Sequence, residues 1–167
     1  MNSKIRNMTQ AALIAALYVI LTYAQNFIFP DSANMAIQFR ASEALCVLAL
    51  FTPNAIAGLT VGCLLFNISY AGALPLDFLI GPLASGLACA AMWLTRKLTI
   101  KGYPLPALLM PALFNAMLVG WELAVYIGGG FWFNALFVAI GELAVLLTLG
   151  TVLFYSLKSR QKHIFDT

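Results

Sequence analysis

The chain has 167 residues, of which 62% are hydrophobic and 9% charged, with a formal net charge of +3; soluble domains average roughly 45–50% and 25%. With a mean hydropathy of +0.92 it has too few polar residues to cover a surface in water, which excludes a soluble globular domain. It also holds too much apolar surface to stay disordered. An all-α integral membrane protein is left, because the apolar stretches are continuous rather than alternating as in a transmembrane β-barrel. The length allows about six helices at roughly 20 residues each, so residues 1–167 are read as a single membrane domain.

The first apolar run follows Lys4 and Arg6, like the charged and apolar regions of a signal peptide. No small-x-small cleavage site follows it, so the run is read as a first helix, about 8–27. Ala11/Ala15 and Ala12/Ala16 form two small-xxx-small pairs on adjacent faces of this helix, and Gly58/Gly62 is a further pair. Such pairs let helices approach closely, and spacing alone favours packing within the chain. The segment 25–38 carries Pro30, Asp31 and Ser32 and reads as a long external loop, of the kind used as a lid or binding loop.

The region 42–72 is either one span broken at Pro53 or two short helices turning at Thr52, Pro53 and Asn54. Charge decides between them. Apart from Arg40, the basic residues form three clusters: Lys4 and Arg6; Arg96, Lys97 and Lys101; Lys158, Arg160 and Lys162. Two crossings put all three clusters on one side, as the positive-inside rule prefers. The expected transmembrane helices are therefore six, about 8–27, 41–53, 55–71, 76–96, 105–127 and 132–157, with both termini cytoplasmic. Gly128, Gly129 and Gly130 permit a tight or mobile external turn beside Trp132. Cys46, Cys63 and Cys89 lie in apolar runs without CxxC spacing and read as small hydrophobes. No repeat suggests a two-fold transporter, and no Walker-type glycine loop is present.

Arg40, Glu43, Asp77, Glu122 and Glu142 fall within or at the edge of apolar spans. Ionisable residues there are expensive, and the default reading is functional. Arg40 neutralising Glu43 one turn on accounts for that pair alone. At 1.5 Å rise per residue, Arg40, Glu43, Asn67, Asp77 and Glu122 fall near the external ends of their helices. Glu142 and Asn115 lie deeper, Asn115 on the same face as Glu122. Trp121, Tyr126 and Trp132 share the external level as an interfacial belt or as pocket walls, with Trp121 assigned to the pocket. Convergent polar groups among aromatic walls describe a binding pocket. An acid-rich one favours a ligand with hydrogen-bond donors or positive charge, such as a guanine-like edge.

The stretch Ile37, Gln38, Phe39, Arg40, Ala41, Ser42, Glu43, Ala44 and Leu45 resembles the QueT family. So do Pro53 to Leu59, Gly62 and Cys63 with Asn67, Leu76 and Asp77 with Gly81, Asn115 and Ala116, Gly120 with Glu122, and Gly141 to Leu143. The likeness runs over about residues 8–155; Pro82 and Ala41 depart from the pattern. It implies a substrate-binding S component of an energy-coupling factor (ECF) transporter in the bacterial plasma membrane. Such a subunit docks by its first helix onto the transmembrane EcfT subunit, which couples to two cytoplasmic ATPases. The implied substrate is a queuosine precursor, a 7-deazaguanine such as preQ1, preQ0 or queuine.

The matched polar residues are Gln38, Arg40, Glu43, Asn67, Asp77, Asn115, Glu122 and Glu142, to which Trp121 is added as a stacking residue. On this resemblance Glu122 and Asp77 accept from the base edge or amine, and Asn115 bonds the carbonyl or a ring nitrogen. Arg40 with Glu43 anchors the external loop, while Glu142 is a deep ligand contact or a helix-to-helix hydrogen bond. Ala11, Ala12, Ala15 and Ala16 become the coupling face. No catalytic residue, metal, cofactor or nucleic-acid partner is expected. Three alternatives stand beside this reading: an S component for another vitamin or purine-like compound, a stand-alone cation- or proton-coupled carrier, and an intramembrane enzyme. The last has no HExxH or GxSxG arrangement to support it, and the single histidine, His163, is in the basic tail.

Overall fold

The computed structural model describes residues 2–30 and 39–164, and among these every regular element is helical. The elements are α1 (Ser3–Ile28), a 3-10 helix (Ala41–Leu50), α2 (Asn54–Ser69), α3 (Asp77–Thr95), the short α4 (Leu105–Leu108), α5 (Met110–Tyr126), α6 (Phe131–Val145) and α7 (Thr151–Ile164). A π-helical turn, Leu146–Gly150, joins α6 to α7 without a break. Four stretches are long and apolar enough to cross a membrane: Ser3–Ile28, Asp77–Thr95, Leu105–Tyr126 and Phe131–Arg160. Ala41–Leu50 and Asn54–Ser69 are shorter apolar helices. Leu13, Leu17, Ile20, Leu87, Leu113, Leu136 and Ile140 all point outward, giving the apolar exterior that a bilayer solvates.

The α1–α2 contact is close because glycine makes it so. A Cβ on Gly58 would lie 2.8 Å from the Ala11 carbonyl oxygen, and one on Gly62 would lie 2.9 Å from Tyr18 Cβ and 3.0 Å from the Ala15 carbonyl oxygen. Gly120 does the same for α5 against Ala135 of α6, at 2.7 Å from its Cα. Backbones at this separation bring polar groups on adjacent helices within hydrogen-bond reach, which apolar solvent makes obligatory.

The helix expected at 41–53 differs in kind. It is a ten-residue 3-10 helix, whose rise of about 2.0 Å per residue makes it longer than an α-helix of the same residue count. Period three also lines up Arg40, Glu43, Cys46 and Ala49, all buried, along one edge. The helix packs against α1, α3 and the π-turn, where a Cβ on Gly150 would meet Val47 Cγ2 at 3.3 Å.

The basic end of the bundle is defined by contacts. Arg6, Gln10 and the turn Thr52, Pro53 and Asn54 line one depression, and Asn54 Nδ2 donates to Gln10 Oε1 at 2.7 Å. Gln10, Thr52 and Leu157 line a second, so α7 ends beside the start of α1. Tyr103, just beyond Arg96, Lys97 and Lys101, hydrogen-bonds Thr151 and packs on Phe154 and Tyr155. At the opposite end Tyr23 donates to Ser69 at 2.8 Å. The Gly128, Gly129 and Gly130 turn there has φ of 88°, 79° and 83°, the left-handed region open to glycine. It is held by Asn134 Nδ2, which donates to the carbonyls of Gly128 at 2.7 Å and Gly130 at 3.0 Å.

Candidate functional site

Buried polar residues fall into linked groups. In the first, the Tyr18 hydroxyl donates to Glu43 Oε1 at 2.7 Å and accepts from Arg40 Nη1 at 3.3 Å. Cys46 donates its thiol to Glu43 Oε2 at 3.2 Å, and Arg40 Nη1 reaches Cys63 Sγ at 3.9 Å. The guanidinium carbon also lies 5.9 Å from the Phe66 ring centre, a cation–π approach. The expected pairing of Arg40 with Glu43 is thus relayed through a tyrosine on α1. Cys46 and Cys63 are buried as small hydrophobes should be, yet both serve as polar partners. Tyr18, Cys46 and, further up α1, Thr22 and Gln25 went unrecognised in the sequence. The available signal was the spacing of 11, 15, 18, 22 and 25 on one helix face.

The second group joins α2, α3 and α5. Asn67 Nδ2 donates to the Asp77 carbonyl at 2.7 Å, and Asp77 Oδ2 accepts from the Leu74 amide at 2.7 Å, tying the preceding loop to the start of α3. The Asp77 and Glu122 side chains interact. Glu122 is 0% exposed, and among the described residues neither carboxyl oxygen has a hydrogen-bond donor; Asn67 Oδ1 is buried in the same condition. Buried acceptors without donors are costly, at about 1–3 kcal/mol each and more for charged groups.

The third group is a pair. Asn115 Nδ2 on α5 donates to Glu142 Oε1 on α6 at 2.6 Å, leaving Glu142 Oε2 buried without a partner among the described residues. Of the two roles foreseen for Glu142, the geometry contains the helix-to-helix bond. Cys63 links the first two groups: its Sγ lies 3.9 Å from Arg40 Nη1 and 3.6 Å from Asn67 Nδ2.

Arg40, Glu43, Asn67, Asp77, Asn115, Glu122 and Glu142 are all buried in this interior. Gln38 lies outside the described residues. Trp121 does not join the interior: it is 46% exposed on the outer surface, as are Tyr126 and Trp132. Neighbouring helical positions point in different directions, so the residue next to a buried Glu122 faces outward. The four alanines also separate. Ala15 is buried and Ala11 half-buried against Gly62 and Gly58, whereas Ala12 and Ala16 are exposed. Of the four residues expected to form a coupling face, only Ala12 and Ala16 are exposed.

An apolar exterior, four helices of membrane-crossing length and a buried set of ionisable groups define a membrane protein with an internal polar site. Family comparison is specific about its kind. The chain belongs to the QueT transporter family, whose model matches residues 8–159. It is accordingly a membrane transporter protein, from a family of transporters rather than of enzymes. Comparison with curated proteins and with solved structures returned no match.

Proposed function

We propose that the protein is the substrate-binding S component of an ECF importer and captures a 7-deazaguanine, of which preQ1 is the best fit. The observation that carries this reading is the Glu122 carboxyl, wholly buried beside Asp77 with no donor to either oxygen among the described residues. Both Glu122 oxygens, Glu142 Oε2 and Asn67 Oδ1 are buried acceptors that find no donor among the described residues. A guanine-like base offers ring N–H and exocyclic amine donors side by side, and the aminomethyl group of preQ1 adds a cation. In this reading Glu122 and Asp77 receive the amine or base edge, and Asn67 and Glu142 flank the remainder.

Six membrane crossings with both termini cytoplasmic fit the gathering of Arg6, Lys101 and Lys158 toward one end of the bundle, away from Asp77. In a bacterial plasma membrane this orients the acid interior toward the outside. The exposed Ala12 and Ala16 face of α1 is suited to close docking of an EcfT helix, and two cytoplasmic ATPases supply the energy. The test is thermal unfolding of the purified protein across purines, 7-deazapurines and vitamins. Stabilisation by 7-deazaguanines alone is expected. Stabilisation by a vitamin instead, or uptake by the lone chain in proteoliposomes without ATPases, contradicts the assignment.

A further inference from the structure

Tyr18, Thr22 and Gln25 follow one another along α1 at the spacing that places side chains on a single face. All three are buried, and all three reach the start of the 3-10 helix. Gln25 donates to the Phe39 carbonyl and accepts from the Ala41 amide at 2.6 Å. The Thr22 and Ser42 hydroxyls hydrogen-bond at 2.7 Å, and Tyr18 holds Arg40 and Glu43 at 3.3 and 2.7 Å. Every residue from 39 to 43 is therefore gripped by one of three side chains on α1.

Holding α1 in the bundle does not require this. The contact with Gly58 and Gly62 of α2 already does so with small residues. A polar grip inside an apolar interior has a different effect. Displacing either side strands buried donors and acceptors, so the grip permits one register and penalises its neighbours. What it registers is the segment carrying Arg40, whose Nη1 lies 3.9 Å from Cys63 Sγ, the atom that Asn67 Nδ2 approaches at 3.6 Å while donating to the Asp77 carbonyl.

We propose that the Tyr18, Thr22 and Gln25 face of α1 is a positioning element of the ligand site, setting Arg40 and Glu43 relative to the acids on α3, α5 and α6. The inference rests on reading that interior as the ligand site. None of the three needs to touch ligand; they act through Arg40 and Glu43. Because α1 also bears Ala12 and Ala16, the same helix then carries both the docking face and the grip on the site.

The test uses the full-length protein in detergent, with preQ1 affinity measured by calorimetry on the wild type, Thr22→Val, Thr22→Ser and Tyr18→Phe. Loss of the hydroxyl at nearly constant shape is expected to weaken binding about tenfold or more in Thr22→Val and Tyr18→Phe. Thr22→Ser, which keeps the hydroxyl and loses a methyl, is expected to bind within about twofold of wild type, a rescue that a packing role does not give. Wild-type affinity in Thr22→Val, or equal loss in Thr22→Ser and Thr22→Val, overturns the proposal. Should Tyr18→Phe fail to fold, the Thr22 series decides. If the wild type itself binds no 7-deazaguanine, the site reading falls first and this inference with it, an outcome distinct from wild-type binding with indifferent variants.

Discussion

Asn115 and Glu142 are joined across the α5–α6 interface by a 2.6 Å hydrogen bond from the amide to Oε1. The contact is possible because Gly120, one and a half turns further along α5, lets the two backbones nearly touch at Ala135. It pairs one oxygen of a buried acid and leaves the other facing the interior. Replacing Asn115 with Leu removes the donor and leaves both oxygens unpaired. The expected loss is about 1–2 kcal/mol of stability, read as a lower unfolding temperature in detergent. Unchanged stability in Asn115→Leu means that the bond does not hold the helices.

The α1–α2 interface predicts a broader effect. A Cβ on Gly62 already overlaps Tyr18, so Gly62→Val must push α1 outward and with it the Tyr18 hydroxyl. Overpacking of this kind costs typically about 1–3 kcal/mol. Unlike Asn115→Leu, the substitution is expected to loosen the Arg40 and Glu43 network too. Both unfolding temperature and ligand affinity should fall, and a fall in neither contradicts the close packing.

The alanines of α1 give opposite expectations one residue apart. Ala16 is exposed, so Ala16→Trp is expected to leave folding and ligand binding intact while abolishing uptake by the assembled transporter. Ala15 is buried against Gly62, so Ala15→Trp is expected to destabilise the subunit itself by at least about 1–3 kcal/mol. Transport assays in cells carrying the partner subunits, beside unfolding of each purified variant, separate the two. Normal uptake with Ala16→Trp moves the docking face elsewhere.

Much of the fold was readable because a bilayer imposes a simple rule. Long apolar runs must be helices, and the rarity of charge made Arg40, Glu43, Asp77, Glu122 and Glu142 conspicuous as interior groups. The 3-10 form of Ala41–Leu50 was not readable, since an apolar run carries no mark of its helical period when both faces are buried. Tyr18, Thr22 and Gln25 escaped because their partners lie 14 to 25 positions away, and each residue alone is unremarkable in a helix. Trp121 was misplaced for a reason the sequence did contain. Adjacent residues on a helix diverge, so a buried Glu122 directs its neighbour to the outside.

If Glu122 receives the donor-bearing part of a 7-deazaguanine, its carboxylate must matter to affinity. Calorimetric titration of preQ1 into purified wild type and Glu122→Gln tests it most directly, with unfolding temperature as the control for integrity. Loss of a charged acceptor contact is expected to weaken binding roughly ten- to a hundredfold while the variant stays folded. Equal affinities for wild type and Glu122→Gln would contradict the account.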